Sequence, residues 1–137
     1  MPISPILFIL YLHNIYRLET EGAYTFSYID NFTIIVTSNL AKINCKKLEG
    51  IALKLISKAK ETAISFNISK MELIHFYNKY TTIEEGLKLG DTEISPKPLV
   101  RWLGVFLDLK LMFKQHVETR ISKAKIAFYL VRRLGNI

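Results

Sequence analysis

The chain has a single cysteine, Cys45, among its 137 residues. One thiol cannot form an intramolecular disulfide, so a disulfide-stapled secreted fold is excluded and a reducing compartment, nuclear or cytoplasmic, is favoured. The three histidines, His13, His75 and His116, are too scattered to indicate a zinc site. Cys45 is therefore predicted to be a small apolar residue of a helix.

The sequence also lacks an apolar run long enough to cross a bilayer. The best candidate, Ile3 to Leu12, is too short, and no basic residues precede it as they would in a secretory signal. Two early prolines suit the first turn of a helix, so Ile6 to Glu19 is predicted to be a buried helix. No membrane partner is expected, and no repeat, low-complexity tract or flexible linker interrupts the chain.

What the chain does contain is apolar material for one core and an excess of positive charge. Hydrophobic residues make up 50% of a chain about one domain long, which is enough to build a core. Nineteen Lys and Arg against twelve Asp and Glu give a net charge of +7. Such a balance favours a polyanionic partner, nucleic acid before a membrane surface.

The most informative stretch is residues 28–32, Tyr-Ile-Asp-Asn-Phe. Tyr24 to Ile29 and Phe32 to Thr37 are rich in β-branched and aromatic residues and predict two strands joined by Asp30-Asn31. A carboxylate at the tip of a rigid hairpin can present an oxygen ligand to Mg²⁺. Asp-Asn is also a sound two-residue turn, because both residues tolerate positive φ, so a purely structural role stays open.

Periodicity predicts the remaining elements. They are an amphipathic helix from Leu40 to Phe66, a strand from Met71 to Tyr77, a small hairpin within Thr81 to Ile94, a strand from Leu99 to Leu107, and a helix from Phe113 that Gly135 stops. The last helix has an apolar stripe, expected to face a core, of Val117, Ile121, Ala124, Phe128, Val131 and Leu134. This order predicts an α+β fold whose antiparallel sheet is covered on one face by helices.

Much of the positive charge lies in the last helix and the residues before it. The basic residues there are Lys110, Lys114, Arg120, Lys123, Lys125, Arg132 and Arg133, opposed only by Glu118. Side chains at helical spacing could bracket a phosphate backbone in a salt-sensitive, sequence-independent way. A solvated helix face explains the same pattern, and the composition does not decide between them.

Four short motifs, in this order, resemble the reverse transcriptase of non-LTR retrotransposons. Residues 2–8 resemble the end of its Gln-Gly-Ser-Pro-x-Ser-Pro-x-Leu-Phe element, and residues 28–32 its Tyr/Phe-x-Asp-Asp motif. Residues 67–72 resemble the next palm motif, a loop with a lysine before a strand, and residues 101–108 the Leu-Gly-Val segment. The resemblance covers essentially the whole chain. It implies the C-terminal part of a polymerase palm over residues 1–110 and the beginning of the thumb, a basic helix, over 111–137.

The resemblance also implies roles for individual residues. Asp30 would be a catalytic metal ligand, Asn31 would replace the second Asp of the motif, and Lys70 would assist the leaving pyrophosphate. Nucleic-acid contacts along a template-primer duplex would come from Trp102, Gly104, Lys114, Arg120, Lys123, Arg132 and Arg133. The alternatives are roles without catalysis or binding, in which Lys70 is an ordinary exposed loop lysine and Trp102 packs in the core.

The implied reaction is RNA-directed DNA polymerisation with Mg²⁺, on an RNA template and a DNA primer. Two-metal chemistry needs carboxylates from separate strands. The resemblance assigns the partner of Asp30 to an earlier palm strand, outside these residues, and Asn31 removes a further charge. The chain is therefore expected to be a degenerate retroelement fragment, inactive alone. A non-catalytic basic nucleic-acid-binding module and a subunit completed by a second polymerase fragment are the alternatives.

Overall fold

The fold is α+β, as the sequence predicts, and this computed structural model describes residues 4–16, 22–77 and 83–135. The elements in chain order are α1 (Ser4–Tyr16), β1 (Ala23–Tyr28), β2 (Asn31–Val36), α2 (Ala41–Glu61), a 3₁₀ turn (Ile68–Lys70), β3 (Leu87–Leu89), β4 (Thr92–Ile94), β5 (Leu99–Trp102), β6 (Val105–Asp108) and α3 (Lys114–Leu134). The strands are antiparallel, as predicted, but within the described residues they form three separate hairpins, β1-β2, β3-β4 and β5-β6, rather than a single sheet.

The chain divides into two compact units. The first unit comprises Met1–Met71 with Glu84–Ser95, and the second unit comprises Glu72–Ile83 with Pro96–Ile137. Each hairpin lies within one unit, because β1 to β4 belong to the first and β5 and β6 to the second. The palm and thumb boundaries implied by the resemblance stay a prediction.

The core of the first unit lies between its helices and the inner face of the β1-β2 hairpin. The buried residues are Leu12 and Ile15 of α1 and Ile51, Leu55 and Ala59 of α2, with Ala23, Phe32, Ile34 and Val36 of the hairpin packed against them. The α2 positions recur every four residues, which places them on one side of the helix. The rings of Phe32 and Phe66 add an edge-to-face contact with centroids 6.3 Å apart. One face of this hairpin is thus covered by helices.

Helix α1 confirms that the N-terminal segment is helical over the residues that are described, but the expectation of a buried helix is wrong, because Ile6, Leu7, Leu10 and Tyr11 are 51–65% exposed. It runs over Ser4–Tyr16, and the predicted end at Glu19 lies outside the described residues. Its buried contribution to the core comes from Leu12 and Ile15.

Helix α2 ends five residues before the predicted Phe66, at Glu61. The Ile64 amide donates to the Ala59 carbonyl at 2.9 Å, and the Ala63 amide donates to the Lys60 carbonyl at 3.2 Å. With Ala63 at φ 55°, these bonds form a Schellman motif. No pattern in the sequence marks this end, because the position usually holds glycine and here holds alanine.

The β1-β2 hairpin is confirmed, but its turn is one residue earlier than predicted. Tyr28 pairs with Asn31, so the two turn residues are Ile29 and Asp30. The observed and the predicted turn differ by a shift of two residues in the pairing of β1 with β2. Because side chains alternate between the two faces of a strand, such a shift leaves Phe32 on the inner face in both cases. The hydrophobic pattern therefore could not distinguish them.

The predicted small hairpin in the first unit is confirmed as β3-β4, with Gly90 and Asp91 between the paired Leu89 and Thr92. Residues 81–82 of that prediction lie outside the described residues. The hairpin packs on α2. A side chain at Gly86 would come within 2.9 Å of the Ile94 carbonyl oxygen, so glycine there permits the close approach of the two segments.

The second unit corrects two strand predictions. The predicted strand Leu99 to Leu107 is a hairpin, in which Leu103 (φ 47°) and Gly104 (φ 86°) form a turn with the two positive φ values of type I′. Apolar residues continue through this turn, so periodicity did not reveal it. The segment Met71 to Tyr77 is not a strand, and only an isolated bridge between Leu73 and Pro96 forms there.

Helix α3 starts and stops where predicted, over Lys114–Leu134, but its apolar stripe does not face a core. None of its residues is buried. All residues of α3 are described, and His116 and Thr119 are the only ones among them that are partly covered. Nδ1 of His116 accepts a hydrogen bond from the Phe106 amide at 3.4 Å, which marks the side that packs on β6. The expectation of a core-facing stripe is therefore wrong.

No helix within the described parts of the chain combines the length and the apolar character that crossing a bilayer requires.

Candidate functional site

The tip of the β1-β2 hairpin exposes Asp30, the residue on which the sequence interpretation depends. Ile29 has φ 55° whereas Asp30 does not have positive φ, which is the pattern of a type II′ turn. Glycine is the usual first residue of that turn, and a β-branched residue at positive φ is a strained choice. Positive φ at Leu103 also occurs in a purely structural turn, so it is the exposed Asp30, and not the strain at Ile29, that makes the tip a candidate site.

A small groove of about 160 Å³ lies between this tip and α1. It is lined by Leu12, Ile15, Ile29, Asp30, Asn31, Phe32, Ile64, Ser65 and Phe66. Asn31 Nδ2 donates a hydrogen bond to Asp30 Oδ1 at 3.3 Å, which orients the two side chains with respect to each other. The groove walls are mostly apolar, and Asp30 supplies the one carboxylate among these described lining residues.

The residues at the tip do not fit a magnesium site. Mg²⁺ requires near-octahedral oxygen coordination, and two-metal chemistry requires carboxylates that bridge the ions. Asn31 supplies a neutral amide where a second charge would be needed. Within the described residues there is no group of three or more His, Cys, Asp or Glu side chains that could hold a metal ion. By itself the tip therefore has too few anionic oxygens for a pair of magnesium ions.

Lys70 is not among the residues that line the groove. It ends the 3₁₀ turn Ile68–Lys70, and its side chain is exposed. Asn67 organises this turn, since its Oδ1 accepts hydrogen bonds from the Ser69 amide at 3.1 Å and from the Ser69 hydroxyl at 2.6 Å. The structure holds the loop in a defined conformation but does not bring Lys70 into contact with Asp30.

Trp102 and Gly104 both belong to the β5-β6 hairpin of the second unit. Trp102 is the last residue of β5, pairs with Val105 and is 41% exposed, so it is not a buried core residue. Gly104 occupies the second position of the type I′ turn, where its φ of 86° favours glycine. A structural requirement of the turn therefore accounts for Gly104 without any ligand.

The basic side chains assigned to nucleic-acid contacts in α3 are all exposed. They are Lys114, Arg120, Lys123, Arg132 and Arg133. Helical spacing places them around much of the circumference of α3, and the single acid of the helix, Glu118, is also exposed. The helix therefore presents a strongly positive surface that could follow a phosphate backbone or be solvated.

Asp108 joins α3 to the β5-β6 hairpin. Its carboxylate accepts hydrogen bonds from the amides of Lys110 at 3.1 Å, Met112 at 3.0 Å and Phe113 at 2.6 Å. These amides, that of Met112 above all, hold the pKa of Asp108 below its usual value. The carboxylate thus stabilises a loop in which Leu111 (φ 54°) and Phe113 (φ 58°) both have positive φ. No pattern in the sequence indicates this loop, because leucine and phenylalanine seldom adopt positive φ.

A groove of about 480 Å³ borders the same loop. It is lined by Pro98, Asp108, Leu109, Lys110, Met112, Lys114, Gln115 and Glu118. The Asp108 carboxylate at its edge is already engaged by backbone amides, so it is a poor candidate for a cation ligand.

Cys45 is a structural residue, as predicted. It is buried in α2, and its thiol lies 3.7 Å from the Glu85 carbonyl oxygen, toward which it can donate. Burial raises the pKa of the thiol, and the nearby charges of Glu85 and Glu49 raise it further. A thiol that resists ionisation is a poor nucleophile, so Cys45 is not a catalytic candidate.

Comparison of this chain with protein families, with curated proteins and with solved structures finds no match.

Proposed function

We propose that this chain is a reverse transcriptase fragment, the C-terminal part of a palm with the beginning of a thumb, that does not polymerise DNA by itself. The observation that supports this proposal most is the position of Asp30. An aspartate exposed at the tip of an antiparallel hairpin, beside a groove next to α1, is the arrangement that the Tyr-x-Asp-Asp resemblance implies. The α+β fold and the helices on one face of that hairpin are compatible with it.

The proposed inactivity follows from charge. A catalytic pair of magnesium ions about 3.5 to 4 Å apart needs several anionic oxygens. Asp30 supplies the one carboxylate among the described residues that line the groove, and Asn31 is neutral. The isolated chain should therefore bind divalent cations at the tip only weakly.

Primer extension tests the proposal directly. The purified chain, mixed with an RNA template, a DNA primer, nucleotides and Mg²⁺ or Mn²⁺, should extend no primer. A second polypeptide that carries an Asp-bearing palm strand should form a stable complex with the chain and restore extension. Extension by the chain alone would contradict the proposed inactivity, and failure to form any complex would contradict the palm assignment.

A matched pair of variants isolates the role of Asp30 in the restored complex. Asp30→Asn should abolish extension, whereas Asp91→Asn, which changes an exposed aspartate in the β3-β4 turn, should leave it intact. If Asp30→Asn retains the activity, Asp30 is not a metal ligand. Broadening of NMR signals by Mn²⁺ gives a second readout, since it should reach residue 30 in the complex and not in the chain alone.

A non-catalytic nucleic-acid-binding module is the second candidate, favoured by the exposed basic side chains of α3. Binding to a duplex by this surface should weaken steeply with salt, since each phosphate neutralised contributes roughly −0.9 to the slope of log K against log salt. Filter binding at two salt concentrations measures that slope.

Two quadruple variants make the binding test specific. The first changes the α3 residues Arg120, Lys123, Arg132 and Arg133 to Ala, and the second changes the α2 residues Lys42, Lys46, Lys54 and Lys60, which are equally exposed. Only the first should lose binding and flatten the salt slope. An equal loss in both would show that net charge, and not α3, is responsible.

A further inference from the structure

Two exposed aromatic rings lie side by side in the C-terminal half of α3. Phe128 is 64% exposed and Tyr129 is 60% exposed. Their ring centroids are 6.1 Å apart, and the ring planes are inclined at 66° to each other. Aromatic side chains dominate the energetics of cores and interfaces because of the large apolar area that they bury. Two rings left exposed on a helix surface therefore offer stacking area to a ligand.

Basic side chains flank the two rings along the helix. Lys125 precedes the rings by three and four residues, and Arg132 follows them by four and three residues. Residues at these spacings are neighbours on a helix surface, with Cβ atoms about 5 to 6 Å apart. Arg133 follows Tyr129 by four residues and is a neighbour in the same way. We define the aromatic-basic cluster of α3 as Lys125, Phe128, Tyr129, Arg132 and Arg133, all of them exposed.

The aromatic-basic cluster lies on the side of α3 that faces away from β6. His116 and Thr119 mark the side that packs on β6. At 3.6 residues per turn, Arg132 points about 160° away from His116 and about 140° away from Thr119 around the helix axis. The one acid of α3, Glu118, lies about two turns before Lys125. The positive charge of the cluster is therefore not neutralised by a neighbour on the helix.

We propose that the aromatic-basic cluster binds single-stranded nucleic acid. Unpaired bases stack on exposed aromatic rings, and every base has a face that can stack, so such binding tolerates different sequences. Lysine and arginine side chains beside the rings neutralise the phosphates that connect those bases. The inference rests on nucleic-acid binding by α3, the second candidate function above, and it specifies the kind of strand that is preferred. A duplex keeps its bases stacked inside and offers mainly its phosphates to the cluster.

The cations of the cluster favour a nucleic acid over an apolar protein groove. A helix that docks in such a groove inserts an apolar face made of residues three and four apart. In the aromatic-basic cluster, the residues three and four from the rings are cations, and burying them against apolar walls would cost their hydration. A polyanionic strand instead uses both kinds of side chain, because its bases stack on the rings while its phosphates attract the cations.

The β1-β2 hairpin exposes aromatic rings without such cations. Tyr24, Phe26 and Tyr28 alternate along β1 and are 49–65% exposed. Neither β1 nor β2 contains a lysine or an arginine. Rings alone should bind a charged strand weakly, so the hairpin supplies a matched control for the rings of α3.

Fluorescence anisotropy of the full chain with labelled strands tests the proposal. The ligands are a short oligothymidylate, an abasic strand of the same length, and a duplex of the oligothymidylate with oligoadenylate. The first two carry the same phosphates, but only the first has bases. The oligothymidylate should bind about tenfold more tightly than the abasic strand, because of stacking. Affinity for both should fall with salt, with a slope of roughly −0.7 for each phosphate neutralised on a single strand.

Three variants assign the stacking to the cluster. Phe128→Leu removes a ring but keeps an apolar side chain, and should lower the affinity for oligothymidylate about fivefold without changing that for the abasic strand or the duplex. Phe128→Trp keeps an aromatic face and should retain the affinity. Phe26→Leu, which removes a ring of β1, should change none of the affinities. Far-UV circular dichroism checks that the α3 variants keep their helix content.

Equal affinity for the oligothymidylate and the abasic strand would overturn the proposal. Equal effects of Phe128→Leu and Phe26→Leu, or loss of affinity in Phe128→Trp, would overturn it as well. If the duplex still binds in a salt-sensitive way in that case, nucleic-acid binding by α3 stands without a stacking site. A chain that binds none of the three ligands contradicts both, whereas primer extension with a complementing fragment tests the reverse transcriptase proposal separately.

Discussion

Helices α2 and α3 are both 21 residues long and both carry apolar residues at steps of three and four, yet they are packed in opposite ways. Helix α2 buries Cys45, Ile51, Leu55 and Ala59 in the first unit, whereas α3 buries nothing. Periodicity shows that a helix has an apolar side. It does not show whether that side is covered by the same unit, and here the two helices give different answers.

The largest expected effect on the free energy of unfolding comes from truncating a leucine in α2, compared with truncating a leucine in α3. Leu55 in α2 is 4% exposed and Leu130 in α3 is 57% exposed. Leu55→Ala should lower the free energy of unfolding by about 3 kcal/mol, since it leaves a cavity in the core. Leu130→Ala should change it by less than about 0.5 kcal/mol. Urea denaturation followed by far-UV circular dichroism measures both.

Equal costs for the two leucine variants would remove the distinction between a covered and an uncovered helix.

The sequence predicted element types well where periodicity was long and poorly where a turn lacked its usual residue. Helices α2 and α3 and the hairpins β1-β2 and β3-β4 were predicted from their patterns. The turn at Leu103 was missed, since leucine seldom adopts positive φ and its apolar side chain continued the strand pattern. The end of α2 was missed for the same reason, because alanine occupies the position that glycine usually marks.

Of the candidate site, the sequence predicted the exposed tip aspartate but not its surroundings. The groove beside Asp30 includes Leu12, Ile15 and Phe66, which are distant in sequence and come together only through the packing of the first unit. Tertiary packing likewise decides that Lys70 is not one of the residues that line the groove. Local patterns carry no information on either point.

The residues that follow the C-terminal ends of α2 and α3 also differ in backbone conformation. Ala63 follows α2 at φ 55°, where glycine would be favoured, while Gly135 follows α3 at an ordinary φ of −83°. Ala63→Gly should raise the free energy of unfolding by about 1 kcal/mol, because glycine adopts positive φ without strain. Urea denaturation of the variant measures the change.

Gly135→Ala is the matched reverse substitution. A methyl group there would lie 3.8 Å from the nearest atom, the Arg132 carbonyl oxygen, so the change should stay within about 0.5 kcal/mol. If Ala63→Gly is destabilising, the Schellman motif does not carry the strain assigned to it.

The hairpin tip offers a similar test in the first unit. Ile29→Gly should raise the free energy of unfolding by up to about 1 kcal/mol, because relief of strain at φ 55° exceeds the greater flexibility of glycine in the unfolded chain. Ile35→Gly changes an isoleucine of similar exposure within β2, and should lower it by about 1 kcal/mol. Thermal denaturation compares the two, and effects of the same sign would contradict the strained turn.

The smallest expected effect concerns the attachment of α3 in the second unit and is local. The pKa of Asp108 is lowered in the folded state, chiefly by the Met112 amide, so its stabilising contribution is complete above the unfolded pKa of about 3.9. That contribution is lost as the pH falls through the lower folded-state value. NMR signals of the Met112 and Phe113 amides should therefore shift only below the usual pKa of an aspartate.

Asp108→Asn should weaken these hydrogen bonds at neutral pH, while Asp91→Asn should leave both amides unchanged. Titration of the two amides at or above the usual aspartate pKa would mean that the Asp108 carboxylate does not hold the loop at the start of α3.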